Sequence, residues 1–195
     1  MLSLKNSLKV LKKTNALLEG HFVLSSGLHS GQYVQCAKLL SYPKLSEKFV
    51  KSLAFKIKKN IKKIDMILSP AMGGIIIGYE IGKLLGKETI FCERLNKKFA
   101  LRRGFSIKKN SKVLIVEDVI TTGKSSLECV ELVKKSKAKI IGFASLIDRS
   151  SKKSMKIKKK IISQIKIDVP TYKKKELPKE LISISITKPG SRFIK

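Results

Sequence analysis

Four short apolar runs in the middle of the chain limit most strongly how it can fold: Met66 to Leu68, Glu88 to Cys92, Val113 to Val116 and Ile140 to Ile147. None alternates apolar with polar residues, the pattern left when both faces of a strand are covered. Two of the runs lead through a small-residue loop into a helical pattern. SPAMGG opens one such helix, ending near Leu85, and EDVITTGKSS opens another, ending near Lys135. Strand, loop and helix in succession make the connections parallel. The expected fold is therefore α/β, a doubly wound, mainly parallel sheet with flanking helices. In such a sheet ligands bind beyond the carboxyl ends of the strands, which singles out the loops after Leu68, Cys92, Val116 and Ile147.

The flanks read differently. Leu4, Leu8, Leu11, Leu17 and Leu18 predict a first amphipathic helix, and HFVLSSGLHSGQYVQ predicts short strands broken by loops. From Pro43, the residues Leu45, Phe49, Leu53, Ala54 and Ile57 recur near the 3.6 period with lysines mostly between them, a helix with one buried face. After Ser150 the stretch SKKSMKIKKK reads as a solvated loop, followed by the apolar run IISQIKIDV and a tail ending KPGSRFIK. No Pro- or Gly-rich linker separates two large units. The 195 residues are expected to form a single domain, with a core over about 44–150 and a small hood built from about 1–43 and part of 151–195.

Lys and Arg number 43 against 14 Asp and Glu, a formal charge of +29. The excess is spread from Lys5 to Lys195, which reads as a general compositional bias and a solvated surface rather than a dedicated nucleic-acid face. Cys36, Cys92 and Cys129 are odd in number and widely spaced, so neither a disulfide framework nor a zinc site is indicated. With no secretory-type apolar stretch at the N-terminus and no run fit to span a membrane, a soluble cytoplasmic protein is expected. His21 and His29 have no nucleophile at a recognisable spacing and are assigned to structure, with His29 a candidate border of the binding pocket; Cys129 is assigned to the core.

The strongest chemical signal is VLIVEDVITTGKSS, residues 113–126. A buried strand ends in Glu117 and Asp118, then passes through Val119 and Ile120 into a turn of Thr121, Thr122 and Gly123 that opens a helix. Backbone N–H groups at the helix start, with the hydroxyls of Thr121, Thr122, Ser125 and Ser126, form a cradle for a phosphate dianion. Two adjacent carboxylates are poor ligands for phosphate but good partners for ribose hydroxyls, and they add negative charge near a sugar cation or Mg2+. The pattern reads as ribose 5-phosphate recognition. It has neither the Walker A nor the GxGxxG spacing. The bland alternative is an N-capped helix with incidental acids.

This segment resembles the signature of the type I phosphoribosyltransferases, which bind 5-phosphoribosyl pyrophosphate (PRPP). Other segments resemble the orotate branch: HFVLSSGLHSGQYV, ILSPAMGGIIIGYE, SLIDRS and the ending KPGSR. The resemblance implies transfer of the phosphoribosyl group to orotate, in pyrimidine nucleotide synthesis. It implies PRPP contacts from Glu117 through Ser125, Lys124 included, and from Met72 and Gly73 in the pyrophosphate loop. It implies orotate contacts from Thr121, Ser26 and Arg149, with Arg149 on the base's carboxylate; the alternative for Arg149 is a surface salt bridge with Asp148. Mg2+ is the implied cofactor, held mainly through PRPP, with Asp118 as the candidate protein ligand.

The segment ERLNKKFALRRGF reads as a mobile basic loop or, more plainly, an ordinary solvated one. By resemblance it covers the pyrophosphate, often from the neighbouring subunit of a homodimer, with Arg94 catalytic together with Glu117 and Asp118, and Lys97, Lys98 and Arg103 assisting. Three positions depart from the commoner pattern. Lys124 replaces a small residue, Ser25 stands where several orotate enzymes have Lys, and Arg103-Gly104 stands where His-Gly is usual. The rival readings are a purine phosphoribosyltransferase and a PRPP-sensing regulator that binds nucleic acid.

Overall fold

The computed structural model describes residues 2–24, 27–150, 157 and 161–187. In chain order the main elements are α1 (Leu4–Lys13), β1 (Leu17–Val23), β2 (His29–Val34), α2 (Cys36–Leu40) and α3 (Pro43–Asn60). Next come β3 (Met66–Pro70), α4 (Gly73–Leu85), β4 (Glu88–Leu95), β5 (Lys98–Leu101), β6 (Lys112–Ile120), α5 (Lys124–Lys135) and β7 (Lys139–Asp148). The tail adds β8 (Ile161–Lys166), β9 (Thr171–Tyr172), α6 (Lys179–Ile182) and β10 (Ile186–Thr187).

Six strands form the main sheet in the order β5-β4-β3-β6-β7-β8, parallel throughout except for β5. Its unalternating runs divide between two cores, as the sequence requires. Ile67, Leu114, Val116, Ala144 and Leu146 face one side, where they meet Phe49, Leu53 and Ile57 of α3 and Ile77 and Ile81 of α4. Met66, Leu68, Val113, Ile115 and Phe143 face the other, against Cys129 and Val133 of α5. A second sheet, β10-β1-β2-β9, joins the N-terminal hairpin to the tail and forms the hood.

Four expectations are corrected. The first helix stops at Lys13, because Asn15 takes a positive φ of 53° and the Ala16 N–H returns to the Leu11 carbonyl, closing the helix end. Leu17 and Leu18 therefore begin β1. Strand β6 does not end at the carboxylates but runs past them to Ile120, pairing with β7 as far as Asp148. The segment after Cys92 is no simple loop. Strand β4 continues to Leu95, turns through Asn96 and Lys97, with φ of 49° and 66°, and returns as β5. Two consecutive positive φ values are what a tight hairpin requires. Finally, the core sheet extends beyond residue 150, since IISQIKIDV supplies β8 beside β7. Apart from Ile157, buried against the α5 side, SKKSMKIKKK lies outside the described residues, as do Ser25, Ser26 and KPGSR.

Helix α4 lies close on the sheet because it presents glycine there. A Cβ at Gly78 would meet the Ser69 hydroxyl and lie 2.9 Å from the Ser69 Cβ. Alanine usually favours a helix over glycine by up to about 1 kcal/mol. Gly78→Ala is nevertheless expected to destabilise by roughly 1–3 kcal/mol and lower Tm by about 3–10 °C, because rigid strand atoms leave no room. Thermal unfolding followed by circular dichroism checks this; an unchanged or raised Tm would mean that α4 can shift off the sheet freely.

Candidate active site

The carboxyl ends of β6 and β7, the start of α5, the hairpin arginine Arg94 and the edge of the hood enclose a cavity of about 640 Å³. The ladder fixes its floor. Glu117 pairs in register with Ser145, Ile120 with Asp148, and the Arg149 N–H donates to the Ile120 carbonyl at 2.8 Å. Every residue from Glu117 to Ser125 lines the cavity. Thr121, Thr122 and Lys124 are exposed, while Gly123 is buried in a left-handed conformation at φ 75° and opens the helix. Thr122 Oγ1 accepts from the Lys124 N–H at 3.4 Å.

Glu117 and Asp118 are fixed by different partners. Glu117 is buried and accepts hydrogen bonds from the hydroxyl and the backbone N–H of Ser126. Burial pushes its carboxyl up to about 7, against the pull of the Ser126 hydroxyl, with the Asp118 charge adding to the rise. Burial also raises Asp118, opposed by the N–H groups of Val119 and of Asp118 itself. Ser126 is thus no part of the phosphate cradle. Its side chain is fully buried and turned to Glu117, tying the acidic strand to the first turn of α5.

Arg149 lines the same cavity. Burial lowers its guanidinium, Tyr33 and Cys36 oppose that shift, and its Nε is buried with no hydrogen-bond partner among the described residues. The salt bridge to Asp148 is not formed. That carboxylate accepts from the Ser150 N–H at 2.8 Å and faces Lys166 Nζ at 4.0 Å. Tyr33, Val34 and Gln35, together with Val23 and Leu24, complete the wall from the hood. The sequence reading gave none of these five a site role, although Tyr33 stands in the N-terminal motif.

The remaining candidates divide. Arg94 lines the cavity, pairs with Glu128 of α5 at 2.8 Å, and lies 4.2 Å over the Phe99 ring. Lys97 and Lys98 are exposed at the hairpin tip, outside the lining of this cavity. Arg103 is turned away from it, forming a two-pronged pair with Glu93 at 2.9 Å. Met72 is exposed and does not line the cavity, and Gly73 abuts Asp118: a Cβ there would stand 2.6 Å from its Oδ2. Ser26 lies outside the described residues.

His21 and His29 do not line the cavity; their rings share a buried hydrogen bond of 2.7 Å within the hood, and His21 Nδ1 reaches the Ile184 carbonyl at 3.2 Å. The three cysteines are free, and Cys129 is buried 3.5 Å from the Cys92 sulfur. Among the described residues no group of three His, Cys, Asp or Glu could by itself hold a metal, and no helix is long and apolar enough to cross a membrane.

A mainly parallel sheet whose central strand carries paired acids and leads into a Thr-Thr-Gly turn at a helix start defines an α/β protein with its cavity at the carboxyl end of the sheet. Residues 41–175 match the phosphoribosyl transferase domain family. The orotate phosphoribosyltransferase of Erythrobacter litoralis is 45% identical over 186 residues, covering 95% of this chain and 96% of its own. That of Parvibaculum lavamentivorans is 46% identical over 188 residues, covering 96% of each. The crystal structure of the orotate phosphoribosyltransferase from Aeropyrum pernix shares the fold with a TM-score of 0.70 at 24% identity, over 82% of this chain and 92% of that one. The chain belongs to the phosphoribosyltransferases and, within them, to the orotate phosphoribosyltransferase family.

The raised Glu117 carboxyl has a consequence for stability. The folded state holds a proton that the unfolded chain releases near the ordinary carboxylate value of 4.5, so folding is favoured below that value and loses support as pH rises towards about 7. The loss is of the order of 3 kcal/mol. Glu117→Gln is expected to be insensitive to this change, so its Tm should rise relative to the unsubstituted chain between about pH 5 and about pH 8. Parallel Tm curves across that range would place the Glu117 titration elsewhere.

Proposed function

We propose that the cavity transfers the 5-phosphoribosyl group of PRPP to orotate, giving orotidine 5-phosphate and pyrophosphate in pyrimidine nucleotide synthesis. The observation that carries this reading is the buried, unpartnered Nε of Arg149 in the same cavity as the Thr121–Ser125 turn. A guanidinium in that state calls for an anionic group, and orotate has a carboxylate for it to grip with its planar fork. Uracil and the purine bases offer none, which weighs against a purine substrate.

In this reading the turn and its hydroxyls hold the 5-phosphate, with Lys124 adding a cation at the rim. Glu117 and Asp118 orient the ribose hydroxyls and favour the electron-poor sugar as the bond to pyrophosphate lengthens. Arg94 neutralises charge on the departing pyrophosphate. Thr121 borders the base, and Ser26 is proposed as a further orotate contact. No covalent enzyme intermediate is required, because the ring nitrogen of orotate attacks the anomeric carbon directly. Mg2+ would be held largely by substrate oxygens, with Asp118, which lines the cavity, as the candidate protein ligand. The ion would supply charge neutralisation at the pyrophosphate.

The protein is further read as a cytoplasmic homodimer. Met72, Ile76 and Tyr79 form an exposed apolar stripe along α4, suited to burial against a second copy. Lys97 and Lys98 are exposed and do not line their own cavity, which suits action on the pyrophosphate of the partner. The rival regulator would have no use for Arg94 lining the reaction cavity.

Turnover of PRPP with orotate, uracil, adenine and hypoxanthine, each in the presence of Mg2+, tests the proposal. Orotate should be consumed with release of pyrophosphate and the other bases left essentially untouched. Preference for adenine or hypoxanthine would favour the purine reading, and binding of PRPP without turnover of any base would favour the regulator.

A further inference from the structure

Outside the motifs that define the family, Glu128 has an arrangement with a functional meaning. It lies on α5, one helical turn beyond Lys124, and its Oε2 is 2.8 Å from Nη1 of Arg94 on β4. That oxygen is buried and accepts no aligned hydrogen bond, so its partner is the arginine charge alone. Arg94 is restrained twice more. Its Nη1 donates to the Lys97 carbonyl at 2.8 Å in the hairpin turn, and its guanidinium lies on the Phe99 ring directly across the strand pair.

All the anchoring hydrogen-bond and ion-pair contacts fall on Nη1. The Nε and Nη2 groups make no hydrogen bond with the described residues, and the side chain lines the cavity. Nε–H and Nη2–H together form one edge of the planar fork, the edge suited to two oxygens of a phosphate. An arginine clamped by one nitrogen with the opposite edge open is preorganised for an anion, and less side-chain entropy is lost when that anion arrives. The clamp comes from the same helix that begins at the phosphate turn. It therefore sets the distance between the hairpin and the site of the 5-phosphate.

We infer that Glu128 is a positioning residue that holds Arg94 with its Nε–Nη2 edge directed to the pyrophosphate of PRPP. Glu128 does not touch substrate and acts only through the arginine. The inference rests on the transferase reading for the identity of the anion, while the pairing itself can be read with inorganic pyrophosphate alone.

The test is a cycle of Arg94→Ala, Glu128→Ala and the double variant beside the unsubstituted chain, with pyrophosphate affinity measured by calorimetry and kcat and KM for PRPP by steady-state kinetics. Glu128→Ala should weaken pyrophosphate binding and lower kcat/KM for PRPP by about tenfold, with KM for orotate unchanged. In the Arg94→Ala background the same substitution should change nothing further. Glu128→Asp should recover part of the loss, and Glu128→Gln, which keeps the shape without the charge, should not. These two variants also carry the test if Glu128→Ala folds poorly. A full additional loss in the Arg94→Ala background, or pyrophosphate affinity and kcat/KM unchanged in Glu128→Gln, would overturn the inference. Absence of turnover by the unsubstituted chain would instead count against the transferase reading, and the pyrophosphate cycle would still decide the role of Glu128.

Discussion

The site depends on the length of one parallel strand pair. Strands β6 and β7 pair from Lys112 and Lys139 with a register shift between Val113 and Leu114, and then stay in register from Leu114 and Gly142 to Ile120 and Asp148, whereas β6 pairs with β3 only as far as Ile115. Beyond that point β3 runs on to Pro70 paired with β4 alone, and β6 from Glu117 onwards lines the cavity. The backbone of Glu117 and Asp118 is thus held by a ladder on one side while their side chains meet Ser126 and the Gly73 helix start on the other. The same pair carries Arg149, whose N–H closes onto Ile120. Acids, phosphate turn and guanidinium are consequently parts of one rigid strip of sheet, as catalysis by positioning requires.

That strip holds charge under tension. Burial raises both acids and lowers Arg149, with Tyr33 close enough to feel both Asp118 and the guanidinium. Glu117 is met by Ser126 and Asp118 by backbone N–H groups, whereas the Nε of Arg149 has no hydrogen-bond partner among the described residues. In the proposed reading an anionic group on the base supplies what the arginine lacks, and a neutral base does not.

Much of this was legible in the sequence because it is written locally. Unalternating runs announced a doubly covered sheet, and the acids followed by TTG announced the turn that opens α5. What escaped depended on contacts distant in sequence or on unusual local conformations. Asn15 ended the first helix by adopting a left-handed conformation that apolar periodicity does not reveal. Asn96-Lys97 formed a tight turn without the glycine that normally signals one, so the hairpin read as a loop. Ser126 was mistaken for a phosphate ligand because its burial and its bond to Glu117 are tertiary facts. Tyr33 and Glu128 are brought to the site by the hood sheet and by α5, and no spacing between either residue and its partner is visible along the chain.

The central claim is that a buried guanidinium selects an anionic base, and kcat/KM for orotate against uracil in Arg149→Ala and Arg149→Lys measures it most directly. A charged hydrogen-bonded pair contributes about 1.5–3 kcal/mol, so Arg149→Ala should lose roughly tenfold or more in orotate efficiency and far less for uracil. Arg149→Lys, which keeps the charge without the fork, should recover only part of that loss. Equal losses for the two bases would contradict the claim and leave Arg149 as a support for the end of β7.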